Sequence, residues 1–388
     1  MSTEADPAVS SLRVGDTQLV PSEDQRQLGA VLRDFLDQRS TEAQVRLFME
    51  TESGVDEATW AQMAEQLGIC GLAVPESLGG AGGTFGDVAV VLEELGRALT
   101  CVPYFSSVVL AQSLLLACDD EPTTAESLAG LASGSIRGTV AFAEPGAAWN
   151  ATGITMAASE TPQGWRLSGV KSYVIDGHSA DVVFVVAQAG AGLSVFAVDA
   201  DAPGLRRVPL PTMDLTRKQS RLEFSEVSAR LVGHPGQGRQ ALDTMLDLAV
   251  VALCAESVGG AQRVLEMSVD YAKSRYQFGR PIGSFQAIKH KCADMLLAVE
   301  SARSAAYYAR TVAANGWSTE LPIAASMAKS VCGDAYFACA AENIQVHGGI
   351  GFTWEHPAHL YFKRAKADEL MFGDPVSHRS RLADLLEL

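Results

Sequence analysis

The feature that most constrains the fold of this chain is a change of residue pattern that occurs twice. Up to about residue 136, apolar residues recur at helical spacing. Between 137 and 236, short β-branched runs such as "DVVFVVAQ" and "LSVFAVD" are separated by turn residues, and the helical spacing then returns to the end of the chain. The sequence therefore predicts an α+β, mainly α protein. It would have an N-terminal helical domain, a middle antiparallel β-barrel or sandwich domain, and a C-terminal four-helix bundle.

The same pattern sets the expected domain bounds. Residues 1–20 read as a flexible polar tail, 21–136 as the helical domain, 137–236 as the β domain and 237–388 as the bundle. Asp87 is a candidate helix cap, and the stretch "DDEPTTAE" reads as an acidic linker. The pair Gly348–Gly349 predicts the end of a long helix.

Composition excludes several classes of protein. The net charge of −16 disfavours nucleic-acid binding, because phosphate contacts need a basic face. The chain has seven cysteines and no CxxC pair, which favours reduced thiols and a cytoplasmic location. The N-terminus lacks the pattern of a signal peptide, and the apolar windows are too short to span a bilayer.

The common cofactor and catalytic motifs are absent from the sequence. The run "GGAGG" at 79–83 lacks the spacing of a dinucleotide fingerprint and follows no clear strand, so a turn is its simplest interpretation. The seven histidines show no metal spacing, and no Ser-His-Asp or Cys-His arrangement can be argued. No metal site is expected, and any flavin dinucleotide would be held by a fold other than the Rossmann fold.

Four segments, taken in order, resemble the flavin-dependent acyl-CoA dehydrogenase family over nearly the whole chain from about residue 25. They are "VPESLGGAGGTFGDVAVVLEELGRA", "FAEPGA…VKSYVIDGHSADVVFVVA", "YAKSRYQFGRPIGSFQAIKHKCADM" and "IQVHGGIGFTWEHPAHLYFKRAK". The resemblance implies the three-domain fold, FAD as cofactor, an acyl-CoA substrate and an electron-transfer flavoprotein as electron acceptor. It also implies that the flavin ring lies between the β domain and the bundle, while the nucleotide half reaches a neighbouring subunit.

Carried over by position, one group of residues would contact the flavin nucleotide across the subunit interface. Arg275 suits phosphate because its guanidinium is planar and permanently charged, and the glycines would let the backbone approach closely. The full group is Arg275, Phe278, Gln286, Gln345, Val346, His347, Gly348 and Gly349.

The ring-binding positions depart from the family pattern. The threonine of the family's "TEP" motif is replaced by Ala143, and the aromatic-x-threonine motif becomes Tyr173-Val174-Ile175. Tyr173 can still stack on the ring, but two hydroxyl groups expected to bond the flavin are missing. Backbone N–H groups would then have to replace them.

The catalytic base is also missing from its usual places. The family reaction needs a carboxylate near the α carbon of the thioester. The usual glutamate position is Phe372, the alternative position is Ala249, and the arginine that accompanies the latter is replaced by Val250. Asp374 and Glu369 are weak candidates, with surface carboxylates as the simpler interpretation.

These departures favour one function and leave others open. The resemblance implies a subunit without a base in an α2β2 acyl-CoA dehydrogenase, of the kind associated with degradation of steroid side chains, whose sister chain supplies the base. The alternatives are a self-sufficient homo-oligomer that uses Asp374 or Glu369, a flavin monooxygenase or oxidase of the same fold, and a non-catalytic scaffold. Rapid reaction of reduced flavin with oxygen would favour the oxidase, and complete absence of FAD would favour the scaffold.

Overall fold

The structure, a computed structural model, describes residues 20–146 and 149–388. The predicted tail, 1–20, lies outside the described residues except for Val20. The fold confirms an α+β, mainly α protein with helices, then a β-barrel, then helices. The N-terminal helices are α1 (Glu23–Arg39), α2 (Glu42–Glu50), α3 (Glu57–Glu65), α4 (Phe85–Ala98), α5 (Ser113–Ala117) and α6 (Glu121–Ala132).

Of two local predictions in this region, the helix cap is confirmed in part and the linker is wrong. Helix α4 is capped by Thr84, and Asp87 is the third helical residue, whose side chain accepts a hydrogen bond from the Thr84 N–H at 2.8 Å. The stretch read as a linker forms the start of α6, because a proline in the first helical turn costs no backbone hydrogen bond. A π-helix, Phe105–Gln112, precedes α5, and all of its residues are buried.

The middle of the chain folds into a small barrel. Its strands are β1 (Gly138–Ala141), β2 (Ala157–Thr161), β3 (Gly164–Ile175), β4 (Val182–Ala189), β5 (Gly192–Asp199), β6 (Leu205–Pro209) and β7 (Gln219–Val232). Strands β2, β3, β7, β5 and β4 pair in a closed ring. The pairing is mostly antiparallel, as predicted, but β1 pairs with β4 in parallel. Strand β3 carries a bulge between Lys171 and Val174, where the register shifts.

The C-terminal part is built on three long helices. Its elements are α7 (Gly238–Ser274), β8 (Tyr276–Gln277), β9 (Arg280–Pro281), α8 (Gln286–Ala314), α9 (Leu321–His347), α10 (Ala358–Leu370) and α11 (Pro375–Leu385). Helix α4 packs closely on α7, since a Cβ added at Gly259 would lie 1.8 Å from the carbonyl oxygen of Glu93. Helix α9 ends before Gly348, which has a φ of 63°, so the predicted stop is confirmed.

Apolar side chains from the three parts of the chain form one continuous core, which joins the first helices to the barrel and to α7. Within residues 20–146 and 149–388, no helix combines the length and the apolar character that crossing a membrane requires.

Candidate active site and nucleotide site

Two aromatic side chains, one on the barrel and one after α10, contact the same third ring, and we call them the two walls of the space that it occupies. Tyr173 lies in the β3 bulge, has a φ of 58° and is 44% exposed. Phe372 follows the end of α10, also has a φ of 58° and is 5% exposed. Bulky residues rarely adopt a positive φ, and bulges often re-aim a side chain beside an active site. The backbone at both positions is therefore held in an uncommon conformation, which the surrounding packing must maintain.

A third aromatic side chain fills the space between these walls. The Trp149 ring lies 5.8 Å from that of Tyr173 and 5.3 Å from that of Phe372 between centroids. On its far side, Phe372 stacks on Phe105 at 5.9 Å with an interplanar angle of 12°. These four rings, Tyr173, Trp149, Phe372 and Phe105, form what we call the aromatic column.

A cavity of about 470 Å³ opens beside the aromatic column. Trp149 and Tyr173 line it from the barrel side, Leu370 and Met371 line it from the end of α10, and Lys366 lies at its edge. Ala143 and Ile175, the two positions where the hydroxyl groups are missing, are buried in the main core and are not among its lining residues.

The "FAEP" motif is used inside the barrel domain. Glu144 accepts hydrogen bonds from the Lys171 ammonium group at 2.8 Å and from the N–H of Met156 at 2.8 Å. Burial opposes the ionised form of Glu144, but the bonds from Lys171, Thr155 and Met156 outweigh it and lower its pKa to about 2. Glu144 is therefore an ionised structural acceptor that ties the end of the "FAEP" motif to Lys171 on β3 and to Thr155 and Met156.

Beneath the aromatic column lies a buried group of charged side chains, which we call the charge network. It consists of Asp214, Arg217, Glu256, Arg364 and Asp368.

The two arginines share one carboxylate. Arg364 donates to Asp214 at 2.6 Å and to Glu256, while Arg217 donates to Glu256 and to Asp368 at 2.9 Å. All five side chains are less than 10% exposed, so each charge depends on its partners. The network joins the loop before β7 to α7 and α10.

The charge network touches the aromatic column at one point. The Arg217 guanidinium lies 4.6 Å from the centre of the Phe105 ring. Within the network, burial raises the pKa of Asp368 to about 7, and its Oδ2 has no hydrogen-bond partner in the described part of the chain.

None of the positions considered for a base holds a free carboxylate. Phe372 is apolar, and Ala249 is fully buried inside α7. Asp374 is the N-cap of α11 and accepts from the Ser377 N–H at 2.7 Å, and this bond lowers its pKa. Glu369 forms an ion pair with Lys366 at 2.7 Å.

The residues expected to contact a flavin nucleotide gather at another place, where α7 and α9 end. The Tyr271 ring lies 4.3 Å from that of His347, which brings these two helix ends together. Arg275 follows α7, Phe278 lies in the turn between β8 and β9 and is 90% exposed, and Gln286 begins α8. We call the exposed residues Arg275, Phe278, Gln286, Gln345, Gly348 and Gly349 the nucleotide corner.

Side chains at the nucleotide corner are exposed, and Phe278 contacts the Phe285 ring at 6.0 Å between centroids. Arg275 forms no ion pair with any residue that the structure describes, and a Cβ added at Gly348 or Gly349 would meet nothing within 4 Å. Val346 is buried, and His347 is buried with its Nδ1 2.8 Å from the Asn343 carbonyl oxygen. These two residues can therefore offer a ligand only their backbone groups.

The three-part fold, with helices, a small barrel and further helices in that order, is the domain order of one flavoprotein family. Three family models match this chain: the acyl-CoA dehydrogenase N-terminal domain matches residues 22–135, the middle domain matches 139–227 and the C-terminal domain matches 236–386. The chain therefore belongs to the acyl-CoA dehydrogenase family, which confirms the predicted family, the FAD cofactor and the class of oxidoreductase acting on CH–CH donors.

Individual relatives point in the same direction. The chain is 35% identical to the acyl-CoA dehydrogenase IpdE2 of Mycobacterium tuberculosis, over 94% of this chain and 98% of that protein. Among solved structures, a variant of the Tcur3481-Tcur3483 steroid ACAD matches with a TM-score of 0.85 and 33% identity, over 94% of this chain and 98% of that chain. The ChsE4-ChsE5 complex from Mycobacterium tuberculosis matches with a TM-score of 0.86 and 30% identity, over 95% and 99% of the two chains.

The two halves of an FAD fit this chain differently. The nucleotide corner offers an exposed guanidinium and open backbone, which suit a pyrophosphate. Trp149 contacts both Tyr173 and Phe372, the two positions between which the sequence resemblance would place the ring. The sequence analysis identified neither Trp149 nor the charge network. A signal of the charge network was visible, because Glu256 is a charged residue within the apolar run "VVALCAESVGG".

Proposed function

We propose that this chain is the subunit without a catalytic base in an α2β2 FAD-dependent acyl-CoA dehydrogenase, and that a homologous chain supplies the base. The observation that carries the proposal is Phe372. The position that resembles the family's catalytic glutamate holds a buried phenyl ring, which stacks on Phe105 and cannot accept a proton.

The nearby carboxylates are poor substitutes for a base. Asp374 is committed to capping α11 and Glu369 to an ion pair, while Asp368 is buried within the charge network. A base must come within hydrogen-bond reach of the proton it removes. An enzyme that uses this chain therefore needs a carboxylate from elsewhere.

The nucleotide corner gives the chain a role in such an enzyme. Its exposed guanidinium and backbone groups would hold the pyrophosphate of an FAD whose ring lies in the partner subunit. Bound FAD supplies the hydride acceptor of the reaction. Arg275 would neutralise phosphate charge, and the open backbone at Gly348 and Gly349 would allow close approach.

The likeness to the steroid ACAD structure favours a steroid-derived CoA thioester as substrate. It also favours a heteromeric assembly, since two of the similar structures are named as pairs of chains. We propose an electron-transfer flavoprotein as electron acceptor, on the family resemblance. The expected flavin content is about one FAD per heterodimer. One of the two interface sites would be unable to bind the flavin ring, because Trp149 occupies the ring-binding half of that site.

The test is native mass spectrometry with flavin absorbance, applied to the single chain and to the chain co-expressed with a homologous acyl-CoA dehydrogenase encoded beside it. We expect the single chain to oxidise acyl-CoA poorly and the pair to be active with two copies of each subunit. A single chain that binds one FAD per subunit and turns over at about ten per second or faster, a typical enzyme rate, would overturn the proposal.

A further inference from the structure

We propose that Trp149 excludes the isoalloxazine ring from this subunit's own flavin pocket, and that the charge network holds it there through the aromatic column. This inference deepens the proposed function, on which its meaning in the complex rests. The closed pocket itself is a property of the isolated chain, so it can be tested without a partner subunit.

The first step concerns space. If the resemblance holds for these residues, a flavin ring would stack on Tyr173 and a thioester would face the base position, so two layers would lie between the walls. Each layer needs about 3.5 to 4.0 Å from its neighbour. Here the Trp149 ring lies 5.8 Å from the Tyr173 ring and 5.3 Å from the Phe372 ring between centroids. These two distances limit the gap between Tyr173 and Phe372, and Trp149 already lies within it. The indole occupies this space, so a flavin ring can enter only if the indole leaves.

The second step concerns what resists displacement. Trp149 also contacts Phe142 at 5.9 Å, so it has aromatic neighbours on three sides. Each such contact contributes about 0.5 to 1.5 kcal/mol beyond the area that it buries. Moving the indole outward would therefore expose apolar surface and break three ring contacts.

The third step concerns what fixes the wall behind Trp149. Phe372 cannot retreat, because Phe105 stacks on its other face and the Arg217 guanidinium lies over Phe105. Arg217 is held by Glu256 and Asp368, and a buried guanidinium cannot leave its carboxylates without a large desolvation cost. The charge network thus makes one rigid wall, and Trp149 is pressed between it and Tyr173.

The cavity of about 470 Å³ does not replace the lost site. It lies beside the aromatic column, between Trp149 and Tyr173 of the barrel and Leu370 and Met371 at the end of α10. A ring there would also lie away from Phe372, which is absent from the lining residues.

The test uses lumiflavin, which is the ring system without the nucleotide, so the nucleotide corner cannot contribute. Equilibrium dialysis compares the wild-type chain with Trp149→Ala, and Trp165→Ala serves as the matched control. Trp165 lies on β3 and packs on Phe196 away from the aromatic column. We expect Trp149→Ala to bind lumiflavin at least about tenfold more tightly than wild type, which corresponds to about 1.4 kcal/mol. The control should match wild type.

A second measurement does not depend on the folding of Trp149→Ala, because it uses Trp149→Phe. The emission of Trp149 is the difference between the wild-type chain and Trp149→Phe, each assembled with the homologous partner and FAD. We expect this emission to be the same with and without FAD, because no flavin ring stacks on the indole.

Three outcomes would overturn the inference: wild-type chain that binds lumiflavin, Trp149→Ala that binds no more of it than wild type, or Trp149 emission that FAD quenches strongly. Failure of the proposed function looks different. It would appear as turnover by the single chain or as a partner that restores no activity, whatever lumiflavin does.

Discussion

In the proposed function, the nucleotide corner and the aromatic column correspond to the two halves of one flavin site, and in the structure they have opposite character. At the nucleotide corner, Arg275 and Phe278 are exposed and no residue of the described chain pairs with the guanidinium. In the aromatic column, Phe105 and Phe372 are buried and packed against other rings. If the proposed function is right, the exposed half serves a neighbouring subunit, whereas the buried half is part of the core. A site shared between subunits would then have lost one half and kept the other.

The physical reason is that the two halves contribute differently to the fold. An exposed side chain that contacts only a ligand adds little to the stability of the fold. Its loss therefore lowers ligand affinity and leaves the free energy of unfolding nearly unchanged. A side chain that fills a former cavity buries apolar surface, which stabilises the chain by about 25 cal/mol per Å². The following predictions test this contrast, from the largest expected effect to the smallest.

Loss of a cation from the charge network should destabilise the chain most. Arg364→Met leaves Asp214 and Glu256 buried without their shared guanidinium partner. The expected loss is about 3 to 5 kcal/mol of unfolding free energy, measured by urea denaturation of the isolated chain.

The matched control is Arg379→Met. Arg379 forms an exposed pair with Asp334, with the two side chains 49% and 57% exposed. Its removal should cost less than about 1 kcal/mol. Equal losses for the two variants would show that the charge network is no more than surface electrostatics.

At the nucleotide corner, the expected loss is in FAD affinity. Arg275→Ala should raise the dissociation constant of FAD from the assembled complex about tenfold to a hundredfold, because a hydrogen bond to a charged group contributes about 1.5 to 3 kcal/mol. Its urea midpoint should stay near that of wild type, since Arg275 is exposed.

Arg239→Ala is the control for that experiment. Arg239 is also an exposed arginine on α7, paired with Asp243 at the opposite end of the helix. It should leave FAD affinity unchanged. If Arg275→Ala bound FAD as tightly as wild type, Arg275 would not contact the bound nucleotide.

The charge network should also make stability depend on pH. Burial raises the pKa of Asp368 to about 7, above the value near 3.9 of an unfolded aspartate. The folded chain therefore favours the protonated carboxyl. This contribution is fully present below about pH 4 and is lost as pH rises through about 7, at no more than about 1.4 kcal/mol per pH unit.

Urea denaturation between pH 5 and pH 8 measures that slope. Asp368→Asn removes the titrating group, so its unfolding free energy should fall less with rising pH than that of wild type. Asp334→Asn, which changes an exposed aspartate, should keep the wild-type slope. An unchanged slope in Asp368→Asn would contradict the assignment.

The smallest effect is expected at Asp374. Asparagine also caps helices well, so Asp374→Asn should leave turnover of the assembled enzyme within about threefold of wild type. A general base contributes on the order of 10² to 10⁴ in rate. A loss of that size, with FAD and assembly intact, would instead support a self-sufficient enzyme that uses Asp374.

The sequence by itself was sufficient for the order of the three parts and for the family, and it led to the prediction that the base position is empty. Helical and β patterns are local, and they report which face of each element is buried. The stop at Gly348 was predictable for the same reason, because a glycine in the left-handed region ends a helix through its own backbone. Phe372 was predicted to hold the usual glutamate position from its place after "AK" in the sequence. That prediction needs no knowledge of the residues that pack around Phe372.

Only the tertiary structure decided what fills the vacant space. Trp149 is 223 residues before Phe372 and 24 before Tyr173 in sequence, and no periodicity links a loop residue to either wall. The charge network likewise joins Asp214, Glu256 and Arg364 from three separate elements. Whether a buried charge is paired, or a cavity filled, depends on distances between segments that are far apart in the chain. A sequence pattern shows that a residue is unusual, but packing determines what the residue does.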